Sequence, residues 1–293
     1  MQIVARKIEY SYNMGAKFAV VALDNVSLEI DEGEFFGIIG HTGSGKSTFI
    51  QHLNALIPLQ KGELFVGDYD LTPKKNKKER VKLKELRKKV GMVFQYPEYQ
   101  LFAETVYEDV AFGIRNFLEE KDEKKIDDMV RTALEKVGLD YAQIRDKSPF
   151  TLSGGQKRRV AIAGVIAVEP QILVLDEPCA GLDPAGKREL WDLLHYLHRT
   201  TAKTIIVVSH DMNDVAEQCT KAAMFSNGKI VALGTPKELF NDRALIEESG
   251  LDVPVTAYLK DELSSYLDCL DTDFKIKDFT EKLVNVLNSK SNQ

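Results

Sequence analysis

At 293 residues with 44% apolar side chains, the chain has room for one large α/β domain plus an appendage, and too little for two full copies of such a domain. Lys and Arg total 39 against 45 Asp and Glu, a formal net charge of -6, which excludes a global attraction to the phosphate backbone of nucleic acid. The three cysteines, Cys179, Cys219 and Cys269, are odd in number and far apart, which excludes a disulfide framework and a structural zinc site and points to a reducing compartment.

In chain order, MQIVARKIEYSY and VSLEI alternate apolar and polar residues and predict strands on a half-exposed sheet, with no leader ahead of them. FFGIIG is a fully apolar strand that runs straight into GHTGSGKST. Behind it, STFIQHLNAL sets Phe49, Leu53 and Leu56 at helical spacing and is stopped by Pro58, and KGELFVGDYDL predicts a hairpin. The run 74–89 is densely basic. Its plain reading is a solvated helix face with Leu83, Leu86 and Val90 turned inward, and its sharper one an attraction to anionic lipid headgroups.

Helices are predicted over 122–138, from Ile126, Met129, Val130, Leu134 and Val137, and over 154–168, placing a helical subdomain at about 96–168 between two core strands. The strand ILVLDEP, a helix containing ELWDLLHYLH and the strand TIIVVSH follow, so the core is a mostly parallel sheet with both faces covered. His195 and His198 lie three apart on that helix with no third ligand nearby, and read as helix surface or packing. A helix KELFNDRALIEESG opens an extension, 241–293, that ends in the amphipathic DFTEKLVNVL. There Phe279, Leu283, Val286 and Leu287 form a stripe that either caps the core or meets a partner. No run reaches the ~18 apolar residues that span a bilayer, so the chain is expected to be soluble when made and to reach a membrane through a partner.

Gly40-His41-Thr42-Gly43-Ser44-Gly45-Lys46-Ser47, followed by Thr48, fits G-x-x-x-x-G-K-[ST] between a strand and a helix. Glycines let successive N–H groups turn toward phosphate oxygens, and the helix adds its positive end. Lys46 is expected to reach the β and γ phosphates, and Ser47 to hold Mg²⁺. Asp176, ending the buried strand at Ile172, is the second Mg²⁺ residue. Glu177 points elsewhere off the strand end and is read as the general base for the attacking water, against the plainer reading that it caps the next segment. His210, at the end of TIIVVSH, is either a γ-phosphate contact or structural.

Leu152-Ser153-Gly154-Gly155-Gln156, 16 residues ahead of Ile172, together with the P-loop and ILVLDEP, resembles the ATPase subunit of an ABC transporter over roughly residues 1–240. On this resemblance Gln95 matches the Q-loop glutamine, 180–183 the D-loop with Asp183, and His210 the switch histidine. Tyr12, 34 residues before Lys46, matches the aromatic that stacks on adenine. The resemblance implies a P-loop fold with a mostly parallel core sheet, an antiparallel β subdomain and an inserted helical subdomain. It also implies that Ser153, Gly154, Gly155 and Gln156 close over ATP held by a partner chain, and that Gln95 touches Mg²⁺ or the attacking water. Cys179 stands where the family usually has threonine or serine.

GHTGSGKST, YPEYQLFAETVYEDVAFG and LSGGQKRRVAIAG are similar to the ATPases of energy-coupling factor transporters, and among their two paralogous ATPases to the second type. This implies a heterodimer with the paralogous ATPase, a transmembrane scaffold (T) component, vitamin-binding S components, and a place on the cytoplasmic side of the cell membrane. The segment after Gln95 is then a groove for coupling helices. Tyr96, Tyr99, Leu101 and Phe102 line its apolar cleft, and Glu98, Glu104, Glu108 and Asp109 receive arginines from a partner helix. The plainer reading of that segment is a surface loop and helix start.

Rival classes are an ordinary ABC importer ATPase and a soluble ABC ATPase acting on DNA or ribosomes. The second is disfavoured because the gap between the P-loop and LSGGQ lacks sustained heptads and there is one ATPase unit.

Overall fold

A computed structural model describes residues 1–15, 18–73, 82–264 and 272–291; the basic stretch 74–81 and Cys269 lie outside them. Strands β1 (Ile3–Tyr12) and β2 (Val20–Ile30) bury one face each, Ile3, Ala5, Ile8 and Tyr10 in the first and Val26, Leu28 and Ile30 in the second. Strand β3 (Phe35–Gly40) is buried along its whole length and feeds the glycine loop and helix α1 (Lys46–Leu53). The helix buries Phe49, Ile50 and Leu53 but stops at Asn54, short of Pro58. Ala55 turns left-handed (φ 51) and the Leu56 N–H bonds the Asn54 side chain, so Leu56 is exposed instead of joining the apolar face.

The predicted hairpin is β4 (Lys61–Val66) with β5 (Tyr69–Asp70), and two-turn α2 (Leu83–Lys89) buries only Leu86, leaving Leu83 exposed, before β6 (Val90–Val93). A 3-10 turn, Pro97–Gln100, leads to α3 (Val106–Gly113), which Thr105 caps, and a π-helical turn, Ile114–Leu118. Helices α4 (Glu123–Lys136), α5 (Tyr141–Ile144) and α6 (Gly154–Ile166) complete the insertion before β7 (Ile172–Asp176). In α4 the predicted face is the buried one: Ile126, Val130 and Leu134, with Ala133.

Next come α7 (Pro184–Thr200), β8 (Thr204–Ser209), α8 (Met212–Gln218), β9 (Lys221–Ser226) and β10 (Lys229–Gly234). The stretch read as one helix from Lys237 breaks into α9 (Pro236–Asn241) and α10 (Arg243–Glu248), because the Asp242 carboxylate accepts the Leu245 N–H and starts a new helix. The last two are α11 (Val255–Leu263) and α12 (Ile276–Ser291).

The strands form an antiparallel sheet, β2-β1-β4-β5, and a six-stranded sheet, β10-β9-β3-β8-β7-β6, parallel except for β10. Side-chain alternation sends Phe35, Ile39, Leu173 and Leu175 to one face, under the helical insertion, α7 and α8, and Phe36, Ile38, Ile172 and Val174 to the other, under α1 and the antiparallel sheet. Phe240, Ile246, Ala257 and Phe274 of the C-terminal region join the first cluster, and the N–H groups of Val255 and Ile276 bond Asn213 and Glu217 of α8. On α12, Phe279 is buried, Leu283 and Val286 are half-buried and Leu287 is exposed. His195 and His198 pack on Phe35, ring centroids 4.9 and 5.6 Å away, which agrees with a packing role.

Candidate active site

The carboxyl ends of β3, β6, β7 and β8 lie along one edge of the sheet and deliver the loop 40–45, Gln95, the pair Asp176 and Glu177, and His210 to one crevice. Gly40 has φ 152, and a Cβ there would lie 2.3 Å from the Phe225 carbonyl oxygen and 2.6 Å from Ser44 Oγ. Gly45 has φ 104, with a Cβ only 2.4 Å from the Ala22 oxygen, so neither position admits a side chain. The loop closes around Lys46, whose Nζ donates to the Gly40 and His41 carbonyls at 2.7 and 2.9 Å. Burial pulls the Lys46 ammonium below its ordinary pKa, opposed by the charges of Glu177 and Asp176.

Ser44 Oγ is buried in this loop without a hydrogen-bond partner. An orphaned buried hydroxyl beside a lysine and a helix N-terminus fits a phosphate oxygen, which would satisfy it. The Tyr12 hydroxyl lies 3.1 Å from Thr48 Oγ1, which sets the exposed ring beside the first turn of α1.

Alternation along β7 puts Asp176 on the same face as Ile172 and Val174, the α1 face, where its carboxylate accepts the Ser47 hydroxyl. Burial raises the Asp176 pKa and the neighbouring Glu177 adds to this, while Ser47 and Lys46 counter it. A hydroxyl and a carboxylate paired at the mouth of a phosphate loop are hard oxygen donors of the kind Mg²⁺ takes. Among the described residues no three His, Cys, Asp or Glu gather into a metal site.

Glu177 turns away from that pair through a left-handed backbone, φ 46. Gln95 Nε2 donates to its Oε2 at 3.1 Å, and His210 Nδ1 lies 3.2 Å from its Oε1, so both oxygens are held. The His210 side chain is 68% exposed and open to a ligand. A cavity of about 370 Å³ joins Gln95, Tyr96, Glu177, Cys179 and His210. Burial pushes the Cys179 thiol up to about 12, so it is protonated and unreactive near neutral pH.

Behind Glu177, the ammonium of Lys187 bridges Asp211 and Asp214, and Trp191 Nε1 donates to Asp214 at 3.1 Å. Asp183 caps α7 by accepting the Gly186 N–H at 2.7 Å. The segment after His210 is thereby tied to the helix that Asp183 begins. Sequence reading missed this network, since Lys187 and Asp211 are 24 residues apart.

Ser153 and Gln156 form a capping box: the Gln156 N–H donates to Ser153 Oγ at 3.3 Å and the Ser153 N–H to Gln156 Oε1 at 3.1 Å. Their side chains serve their own helix. The backbone N–H groups of Gly154 and Gly155, in the open first turn of α6, remain for another acceptor, and a Cβ at either glycine would meet nothing within 4 Å.

A second cavity, about 390 Å³, runs between α2, β6, the 97–100 turn, α3 and α6. Leu101, Phe102 and Asp109 line it, with Phe112, Gly164 and Val165, which sequence reading did not single out. Tyr96 lines the Glu177 cavity instead, and Tyr99 is 85% exposed. Glu98 faces Arg158, and Glu108 pairs with Arg115. Asp109 accepts the Phe102 and Ala103 N–H groups; burial raises its pKa, and these two bonds lower it. Glu104 is exposed.

A P-loop whose lysine faces a strand-end Asp-Glu pair, with a glutamine and a histidine on the glutamate, defines an ATPase of the ABC class, and the family model described as ABC transporter matches residues 23–180. The energy-coupling factor transporter ATP-binding protein EcfA2 of Clostridioides difficile (strain 630) is 50% identical over 255 residues, covering 87% of this chain and 86% of that one. The chain belongs to this family, the ATP-binding proteins of energy-coupling factor transporters, and is an ATPase whose hydrolysis is coupled to transport.

Two solved structures align closely. The cbiO1 protein of Clostridium perfringens, described as part of the ABC transporter complex cbiONQ, has TM-score 0.71 at 35% identity, covering 88% of this chain and 98% of that one. A dimeric ATP-binding cassette in a post-hydrolysis state, bound to ADP and Pi, has TM-score 0.69 at 28% identity over 80% of this chain and 98% of that one. Among the described residues no helix is long and apolar enough to cross a membrane.

Proposed function

We propose that the chain binds ATP between its own P-loop and the SGGQ helix of a second, paralogous ATPase, and drives uptake of vitamins or other micronutrients through a membrane scaffold and its substrate-binding S components. It works on the cytoplasmic face of the cell membrane. One observation carries this reading: Gln95, at the start of the segment that borders the 390 Å³ groove, holds Glu177 beside the phosphate loop, so groove and phosphate site share one segment.

In this reading adenine stacks on Tyr12, and the phosphates lie in the loop 40–48 with Lys46 neutralising the β and γ groups. Mg²⁺, held by Ser47 and Asp176 with Gln95 nearby, would supply further charge neutralisation. Glu177 takes a proton from the water that attacks the γ-phosphorus as the bond to the ADP oxygen breaks. His210 and Gln95 fix the carboxylate, and His210 reaches the γ-phosphate. Gly154 and Gly155 offer N–H groups to the γ-phosphate held by the partner ATPase, whose own SGGQ helix does the same for the ATP held here, so ATP joins the two chains and hydrolysis releases them. The groove receives a coupling helix of the scaffold.

Purification from solubilised membranes is expected to recover the chain with a second ATPase and one scaffold-type membrane subunit, and the recovered assembly to accumulate a vitamin in proteoliposomes when ATP is supplied. Recovery with a dedicated permease pair and its own binding protein would assign an ordinary importer instead, and recovery with no membrane protein would contradict both.

A further inference from the structure

Arg158 lies five residues past Ser153 on α6, with only 8% of its side chain exposed. Nη1 donates to the Pro178 carbonyl at 3.0 Å and Nη2 to the Ala180 carbonyl at 3.1 Å. Nη2 also stands 3.5 Å from both carboxylate oxygens of Glu98, itself 21% exposed. A guanidinium this deep needs acceptors around it, and its rigid fork fixes their relative positions. Three segments therefore meet at one side chain: the 97–100 turn bordering the groove, the helix that opens with the SGGQ motif, and the 178–180 turn that follows Glu177.

We propose that Arg158 is a positioning residue that transmits the state of the groove, through Glu98, to Glu177 and to the N-terminus of α6. The proposal rests on the reading that the groove receives a membrane subunit. The bonds to Pro178 and Ala180 have ordinary hydrogen-bond lengths, whereas 3.5 Å to Glu98 is at the outer limit of one. The Glu98 link is thus the compliant one, tightened or parted by a small displacement of the 97–100 turn. A pull on Nη2 reaches Ala180, whose N–H bonds the Glu177 carbonyl at 3.1 Å. Glu177 holds its left-handed backbone only because its surroundings impose it, so it responds to that pull. The same pull acts on α6, which carries the N–H groups of Gly154 and Gly155 as one rigid element. Gln95, three residues before Glu98, touches Glu177 directly, so the segment holds the glutamate at two points.

The test uses the complete transporter assembly in proteoliposomes, comparing the parent with Arg158→Lys and Glu98→Gln. A lysine keeps the charge but offers a single ammonium where the fork spans two carbonyls and a carboxylate. Arg158→Lys is expected to lower kcat for ATP about 10-fold with KM within about 2-fold, the signature of lost transition-state geometry with binding retained. In both variants the solute accumulated per ATP hydrolysed is expected to fall about 5-fold or more while the membrane subunit stays bound.

An unchanged ratio of solute to ATP would overturn the proposal, even with slower hydrolysis or a lower melting temperature, because a merely structural pin affects those alone. Loss of the membrane subunit in Glu98→Gln would overturn it too, making Glu98 a direct docking contact. If Arg158→Lys fails to assemble, the ratio in Glu98→Gln decides. The groove reading is tested apart from this by Gly164→Leu: a subunit still bound to that variant removes the groove, and with it the premise.

Discussion

Replacing Glu177 by glutamine is expected to lower ATP hydrolysis by on the order of 10²-fold or more while ATP still binds, because a glutamine keeps the shape but has no basic oxygen to accept the water's proton. Gln95 and His210 hold the two carboxylate oxygens at 3.1 and 3.2 Å, so the variant keeps a partner for at least one of them and the site stays folded. Phosphate release and retention of labelled ATP, measured on the same sample, separate the two effects. With hydrolysis blocked and binding intact, ATP is expected to hold the two ATPase chains together, visible as a longer-lived dimer in size-exclusion chromatography. Hydrolysis within a few-fold of the parent would show that Glu177 is not the general base.

Filling the groove is expected to have the second large effect. Gly164 lies on α6 where it lines the cavity, and a Cβ there would make only ordinary contacts, at 3.8 Å to the Asp109 oxygen and 4.0 Å to Val110 Cα. Gly164→Leu should raise helix propensity by roughly 0.5–1 kcal/mol, so the melting temperature should hold or rise. The leucine side chain then occupies space that the proposed coupling helix needs, and loss of a well-packed anchor is expected to cost about 2 kcal/mol or more, about 30-fold in affinity. Copurification of the membrane subunit reads this directly. An unchanged yield of that subunit would place docking elsewhere.

The gathering of the phosphate-loop, Asp-Glu and histidine segments was legible in the sequence because each part is local. A buried strand running into G-x-x-x-x-G-K-S, a buried strand ending in Asp-Glu and a strand ending in histidine each announce themselves within ten residues, and a parallel sheet brings such strand ends together. What was not legible depends on partners that only the folded chain selects. Glu98 reads as a surface acid until the fold sets it against Arg158, 60 residues away. Glu108 likewise turns to Arg115 and Asp109 to two backbone N–H groups, so three acids expected to await a partner's arginines already have contacts within the chain. The groove draws its walls from α2, β6, α3 and α6, and no single stretch of sequence carries its shape. The capping box was there to be read as S-x-x-Q at 153–156; its use leaves the glycine N–H groups, more than the serine hydroxyl, for another acceptor.

The α1 boundary shows a smaller limit of the same kind. Helical spacing continued to Leu56, but the Asn54 side chain competes for the Leu56 N–H and Ala55 turns left-handed, which ends the helix early. At the other end of the chain, Asp242 divides a continuous helical pattern into two short helices by capping the second. In both places one polar side chain outweighed an apolar period.

The most direct measurement is ATP-driven solute accumulation by sealed proteoliposomes holding the whole assembly, with Lys46→Ala in this chain and the equivalent lesion in its partner ATPase. Lys46 is the buried ammonium around which the phosphate loop closes, and without it accumulation is expected to fall to the level seen with no ATP. Accumulation at the parent rate in the doubly lesioned assembly would contradict the account.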